Sequence, residues 1–290
     1  MSRHAAGTPA IRPASPDDIP VIRAILALHD NDGPVAHGGA DVVGPYVAHL
    51  VRHHRVLLTV DEGRAVAFGA VVDTGRVVQL ADLFVVPDRL GQGLGRTLLA
   101  ALFGEAPRRT TFASDDPRAL PLYVRAGLMP LWPNLYLAGD AGLLRDAPAT
   151  PAVRDGSAQE ASALELSWTG VARAVDHAFW ATEAASADPF TIEDASGPVA
   201  FGYGRARQVS DARALGRMLV RPGADAVAPV LAALRRIARR GPLALCLLGP
   251  NPALPVLLGL GFRIVDRDQF MASEPGLIDP ERLFPNPGML

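Results

Sequence analysis

The chain is written twice, and this repeat limits its fold more than any other feature. Thr8-Pro9-Ala10-Ile11-Arg12 recurs as Thr150-Pro151-Ala152-Val153-Arg154, 142 residues on. Val66-Ala67-Phe68-Gly69 recurs as Val199-Ala200-Phe201-Gly202 after 133 residues, and Ala119-Leu120-Pro121-Leu122 as Ala253-Leu254-Pro255-Val256 after 134. The matches run in order at nearly constant spacing. The drop from 142 to 133 places an extra loop in the first copy, in the Gly/Asp-rich stretch 30–39. A Pro/Ala-rich linker at 145–150 divides the chain into expected domains 1–146 and 147–290.

Composition narrows the class. With 49% hydrophobic and 20% charged residues, 290 residues can bury two ordinary cores. A net charge of −2 offers no basic face to nucleic acid or to an acidic membrane. All 28 basic residues are arginine, which reads as codon bias of a GC-rich genome. The single cysteine, Cys246, lies in an apolar run and reads as packing. Residues 1–8 lack an apolar leader core, and no run approaches the roughly 18 apolar residues of a membrane span. A cytoplasmic protein, monomer or homodimer, is expected.

Copy one alternates strands and helices. Ala10 to Arg12 reads as a strand, and Ser15-Pro16-Asp17-Asp18 as a helix start with a capping hydroxyl, a first-turn proline and acids at the positive end. Ile19, Ile22, Ile25 and Leu26 form one apolar stripe. A helix over 41–53 and strands over 56–60, 65–72 and 76–86 follow, separated by polar turns. A helix over 93–103, a strand over 110–114, a helix over 118–126 closed by Gly127 and a strand over 131–138 complete the copy. The class is α+β, two tandem domains, each a mixed, largely antiparallel sheet flanked by helices.

The chemistry-bearing segment runs from Ala81 to Arg96. A strand enters Val86-Pro87, then Gly91-Gln92-Gly93-Leu94-Gly95-Arg96, then a helix. Glycines let main-chain N–H groups approach a ligand, and the free N–H groups of a helix start bind anions. The segment therefore suits a pyrophosphate. The spacing of these glycines does not fit the dinucleotide fingerprint, and the chain has no lysine for a P-loop. The hairpin-like strands before the turn also disfavour a dinucleotide-dependent oxidoreductase.

The strand, Val86-Pro87, spaced glycines and helix resemble the coenzyme A loop of the GNAT acetyltransferase superfamily. Ile11-Arg12-Pro13-Ala14-Ser15-Pro16-Asp17-Asp18 and Leu122-Tyr123-Val124-Arg125-Ala126-Gly127-Leu128 are similar to that family's opening and late helix. The resemblance covers about residues 9 to 138, and copy two resembles the fold in degraded form. It implies acetyl-CoA as co-substrate and transfer of its acetyl group to a small-molecule amine in a ternary complex. It implies that the pantetheine arm lies where two strands part, on the main chain of Leu83, Phe84 and Val85. The pyrophosphate would take Gly91, Gln92, Gly93, Leu94, Gly95 and Arg96. Tyr123 matches the family's acid, which protonates the leaving sulfur. Asp82 is a candidate base, alongside a water-relayed proton; Ala81 stands where some relatives carry glutamate, and strand alternation points Asp82 to the opposite face. Asp116 matches a cofactor-facing asparagine and equally fits a helix cap. Leu90 departs from the family's Arg or Gln, with Arg89 beside it as possible compensation.

Loop 30–39, with Asp30 and Asp32, is the expected source of acceptor specificity. His53-His54 lacks further local ligands, so no metal site is expected. Trp132 reads as packing. In copy two Arg221-Pro222 replaces Val86-Pro87, Ala228 and Val230 stand for Gly93 and Gly95, and Leu257 for Tyr123. That copy is expected to be structural or substrate-shaping, with His177, Trp180 and Glu183 as candidates for the cleft between copies. A non-catalytic acyl-CoA sensor or scaffold is the alternative, favoured by Leu90 and Ala81 and opposed by the intact glycine loop and Tyr123.

Overall fold

Both copies open with the same ionic latch. Arg12 grips Asp18 at 2.7 Å, and Arg154 grips Glu160, each acid lying six residues ahead. The acid closes back on the serine that starts the helix: Asp18 Oδ2 accepts from the Ser15 amide at 2.8 Å, and Ser157 Oγ accepts from the Glu160 amide at 3.1 Å. The latch fixes the angle at which strand becomes helix. The computed structural model describes residues 9–29, 40–182, 187–206, 212–238 and 241–290.

The first half contains β1 (Ala10–Pro13), α1 (Ile19–Ala27), α2 (Ala40–His53), β2 (Arg55–Asp61), β3 (Arg64–Asp73), β4 (Val78–Val85), α3 (Leu94–Phe103), β5 (Arg109–Ala113), α4 (Ala119–Arg125) and β6 (Met129–Asp140). The second contains β7 (Ala152–Asp155), α5 (Ala158–Thr169), α6 (Ala174–Trp180), β8 (Ala187–Asp194), β9 (Gly197–Ala206), β10 (Arg213–Val220), α7 (Val227–Ile237), β11 (Pro242–Leu248), α8 (Ala253–Gly259), β12 (Arg263–Ala272) and β13 (Leu283–Phe284). The expected α+β class and nearly every expected element of the first copy are present.

One continuous sheet joins the halves, in the order β1-β2-β3-β4-β5-β12-β6-β11-β10-β9-β8-β7. The last strands are exchanged. β12, from the second half, pairs antiparallel with β5, and β6, from the first, pairs antiparallel with β11. β6 and β12 then pair with each other at the centre.

Three clusters fill the space around the sheet. Leu80, Leu98, Leu99, Leu102 and Tyr123 build the core under α3 and α4. Val230, Leu231, Leu234, Leu247 and Leu257 build its counterpart under α7 and α8. The largest is shared between the halves: Ile22, Leu50 and Phe68 from the first join Trp180, Phe201, Tyr203 and Phe270 from the second. Burial of this apolar surface at about 25 cal/mol per Å² drives the halves together. Trp132 stacks on Phe270 in this region, at 5.9 Å between ring centres, so its role is packing. Cys246 is buried with its thiol directed at the Pro285 carbonyl, and burial pushes it up to about 12, which leaves it inert.

Candidate active site

The site begins with a ladder that stops. β4 and β5 pair in parallel only at Val78↔Arg109, Gln79↔Thr110 and Leu80↔Thr111, although β4 continues to Val85. Beyond Leu80 the two strands part. On its other edge β4 stays paired with β3, through Phe68↔Phe84 and Ala67↔Val85. The Val86 amide donates to the Val66 carbonyl at 3.0 Å, which marks that pair as hydrogen-bonded. Alternation then turns the main chain of Phe84 toward β3, and that of Leu83 and Val85 into the gap. Of the three residues expected to hold a pantetheine arm, two have main-chain groups directed there. Phe84 contributes its ring, packed into the shared core and 5.6 Å from Phe68.

A bulge re-aims β4 in the same place. The register jumps between Ala70↔Asp82 and Val71↔Leu80, which leaves Ala81 as the extra residue. Strict alternation predicts Ala81 and Asp82 on opposite faces. The bulge cancels that: Ala81 packs into the shared core, and Asp82 is turned to α2, where the Tyr46 hydroxyl donates to its Oδ2 at 2.9 Å. Asp82 is 6% exposed. The same hydroxyl lies 3.4 Å from the Gly288 carbonyl, and the Gln79 amide donates to the Pro287 carbonyl at 3.3 Å. A segment of the second half therefore roofs the first half's candidate base. Sequence reasoning missed Tyr46 and this segment, because no local pattern ties residues 46, 82 and 288 together. It also missed His29, whose Nε2 lies 3.1 Å from the Val85 carbonyl at the mouth of the gap.

The glycine turn has the expected geometry. Gly91 and Gly93 adopt φ of 76° and 81°, values that a side chain disfavours. Gly93 is the N-cap of α3 and has no side chain to offer, and the first intrahelical bond is from Thr97 to the Gly93 carbonyl. The amides of Leu94, Gly95 and Arg96 therefore start the helix without intrahelical partners, at its positive end. A Cβ at Gly93 would sit 3.6 Å from Arg96 Nη2, so this exposed guanidinium lies over the turn. Arg89 is not in a position to compensate for Leu90: it is bound to Asp61 at 2.6 Å.

Tyr123 lies on α4, 8% exposed, in the core under α3 and α4. Burial, then the charges of Asp116 and Asp82, push its phenol well above its ordinary value, so the proton is retained. Asp116 closes a turn just ahead of α4. Its Oδ1 accepts from the Arg118 amide at 2.8 Å, its Oδ2 from the Arg118 guanidinium at 2.7 Å, and this pairing lowers its pKa.

Copy two keeps the architecture but builds the corresponding helix start differently. Leu94, the first residue of α3, comes seven positions after Pro87, but Val227, the first of α7, comes five after Pro222. The turn is two residues shorter, so Ala226 and Ala228, not Ala228 and Val230, stand where Gly93 and Gly95 do. Asp225 caps this helix, its Oδ2 accepting from Ala228 N–H at 3.2 Å. Asp279 and Glu281 line the same cleft. His177 and Trp180 lie in the shared core: His177 bonds Tyr203 and Glu165, each at 2.7 Å, and Trp180 lies against Arg173 and Arg217. Asp30, Asp32, loop 30–39 and Glu183 lie outside the described residues.

Residues 24–128 match the acetyltransferase (GNAT) family. No curated protein sequence matches the chain. The fold is similar to a putative acetyltransferase from Pyrococcus horikoshii, at 14% identity and a TM-score of 0.72 over 98% of this chain and 96% of that one. It is similar to a tandem GNAT protein from the clavulanic acid biosynthesis pathway, at 17% identity and a TM-score of 0.63 over 93% of this chain and 100% of that one. A GCN5-related N-acetyltransferase from Kribbella flavida gives 19% identity and 0.57 over 91% of this chain and 71% of that one. The parted strands and uncapped glycine turn fall inside the segment that matches the acetyltransferase (GNAT) family, and the chain as a whole has a fold similar to that of a tandem GNAT protein.

Proposed function

We propose that residues 1–146 transfer the acetyl group of acetyl-CoA to a small-molecule amine in a ternary complex, and that residues 147–290 shape the acceptor site without binding coenzyme. The observation that carries this reading is the gap beyond Leu80 and Thr111, which opens beside the bare start of α3. A diphosphate takes the amides of Leu94, Gly95 and Arg96, with the Arg96 guanidinium above. The arm runs along Leu83 and Val85, whose main-chain groups polarise the thioester carbonyl. The amine nitrogen attacks the carbonyl carbon, a C–N bond forms, and the C–S bond breaks with its electron pair on sulfur. Tyr123, kept protonated, gives its proton to that sulfur. The ammonium proton leaves to Asp82, oriented by Tyr46, or to water.

For copy two, Asp225 and Glu281 place negative charge beside the start of α7, while Asp279 in the same cleft is paired with Arg282 at 2.6 Å. Coulomb repulsion at such range costs on the order of 1 kcal/mol or more per charge pair. No membrane partner is invoked: among the described residues, no helix is long and apolar enough to cross a membrane. The test is thermal unfolding with coenzyme A, followed by thiol release from acetyl-CoA across a panel of amines. Stabilisation by coenzyme and amine-dependent release support the reading, and a chain whose melting ignores coenzyme A overturns it. Stabilisation without release from any amine favours an acyl-CoA sensor.

A further inference from the structure

The two halves meet at a second cluster that the acetyl-transfer chemistry does not use. His49 lies on α2, and His54 follows that helix directly, its amide bonded to the Leu50 carbonyl at 2.8 Å. Asp176 comes from α6, in the other half. Both imidazoles aim Nε2 at one oxygen, Asp176 Oδ1, at 2.9 and 2.8 Å. The ligand atoms lie within 4.8 Å of one another, and the three side chains are 5, 6 and 3% exposed. We propose that His49, His54 and Asp176 bind one divalent first-row transition-metal ion of the zinc type, and that this ion pins the halves together.

The surroundings match what such a site needs. Arg173 Nε holds the other carboxylate oxygen, Oδ2, at 2.8 Å, which fixes the acid and leaves Oδ1 to the imidazoles. Arg173 is itself anchored by the Leu290 carbonyl at 2.9 Å. The Phe179 ring stacks on His49 at 4.4 Å and 15°, which sets the plane of that imidazole. Outer partners that fix a ligand's orientation are a regular part of metal sites. Two imidazoles and one carboxylate oxygen suit zinc or cobalt; magnesium and calcium prefer all-oxygen sets. Three protein ligands would leave the fourth corner of a tetrahedral ion to a water. Ligands about 2.0 to 2.1 Å from a tetrahedral ion stand about 3.3 Å apart, so on binding each N···O pair opens by about half an ångström and the two imidazole nitrogens, within 4.8 Å of each other, close toward that spacing. Each imidazole then carries its remaining proton on Nδ1. His49 is three residues beyond Tyr46 and shares its helix face, so the ion steadies the helix that orients Asp82.

The test uses the full chain, stripped with a chelator and dialysed. Titration with cobalt(II) should produce the visible bands of a tetrahedral ion, and zinc should raise the melting temperature with a stoichiometry of one ion per chain. His54→Gln keeps an N–H donor for Asp176 and removes the imidazole. It should fold and should weaken both ions by about 100-fold or more. His53→Ala, which removes an exposed neighbouring ring, should leave them unchanged. Absence of cobalt bands and of a zinc-induced shift in the unaltered chain overturns the site. So does wild-type affinity in His54→Gln, or a loss confined to His53→Ala. Because all readouts are of the metal, they are independent of acetyl transfer.

Discussion

The contrast between the two helix starts can be turned into one substitution. Asp225 stands two residues before the first residue of α7 and caps it; Gln92 stands two residues before the first residue of α3 and does not. Gln92→Asp should bring a carboxylate to the Gly95 amide as Asp225 does to Ala228. A helix cap contributes about 1 kcal/mol, and a negative charge at this end adds about 0.3–1 kcal/mol. In a protein of this size, 1 kcal/mol corresponds to roughly 2–4 °C at most. The free protein should therefore melt slightly higher. Coenzyme binding should move the other way. One unit charge about 5 Å from a phosphate charge costs about 1–3 kcal/mol at effective dielectric constants between bulk water and a protein surface. That range corresponds to roughly a 5- to 150-fold loss of affinity. Calorimetric titration with coenzyme A measures it, and the deficit should shrink at about 1 M salt, where screening acts within about 3 Å. Gln92→Asn caps without charge and separates amide occupancy from repulsion. A stabilised Gln92→Asp protein that binds coenzyme A as tightly as the unaltered chain would refute the placement of the diphosphate.

Three further outcomes follow from the same geometry. Tyr123→Phe should lower turnover by about 10²–10⁴-fold with coenzyme affinity nearly unchanged, measured by steady-state thiol release; unaltered turnover rejects Tyr123 as the acid. Tyr46→Phe removes the 2.9 Å bond to Asp82 Oδ2 and should destabilise the fold by about 1 kcal/mol in denaturant unfolding. It should also shift the pH profile of turnover; an unmoved profile removes Asp82 from proton transfer. Glu165 is buried, which alone would raise its pKa, but the charge of Arg217 and the bond from His177 hold it down at about 2. A carboxylate lowered from its unfolded value of about 4.5 contributes stability that is complete above that value. Stability should therefore fall by up to about 3 kcal/mol as the pH drops from about 4.5 toward 2, and Glu165→Gln should flatten that slope.

Much of this was legible in the chain itself. Periodicity, caps and turns located the elements of the first copy, because those signals are local. Gly91 and Gly93 located the anion turn, because only glycine reaches their φ values without strain. The bulge at Ala81 was not legible: one inserted residue leaves the apolar pattern of β4 nearly unchanged yet swings Asp82 across the sheet. The Tyr46–Asp82 bond and the roof from Pro287 and Gly288 join residues 36 and more apart, which no window of sequence contains. A constant offset between the copies misplaced Ala226 and Ala228 by two positions, because the shorter turn in copy two removes residues without disturbing either flanking element. The ion pair of Arg89 with Asp61 is likewise a tertiary event, and it removes the guanidinium that sequence proximity offered to the coenzyme.

Exchange of the last strands governs how the chain is made. As synthesis proceeds, β5 leaves the ribosome well before β12, the neighbour that covers it. The nascent first half therefore carries an open edge for about 150 residues of elongation, or roughly 8 to 30 s at about 5–20 residues per second. An open edge can recruit the same strand from another nascent copy. Joining the two copies in one polypeptide keeps the correct strand at high local concentration, and so favours closure within the chain over entanglement between chains.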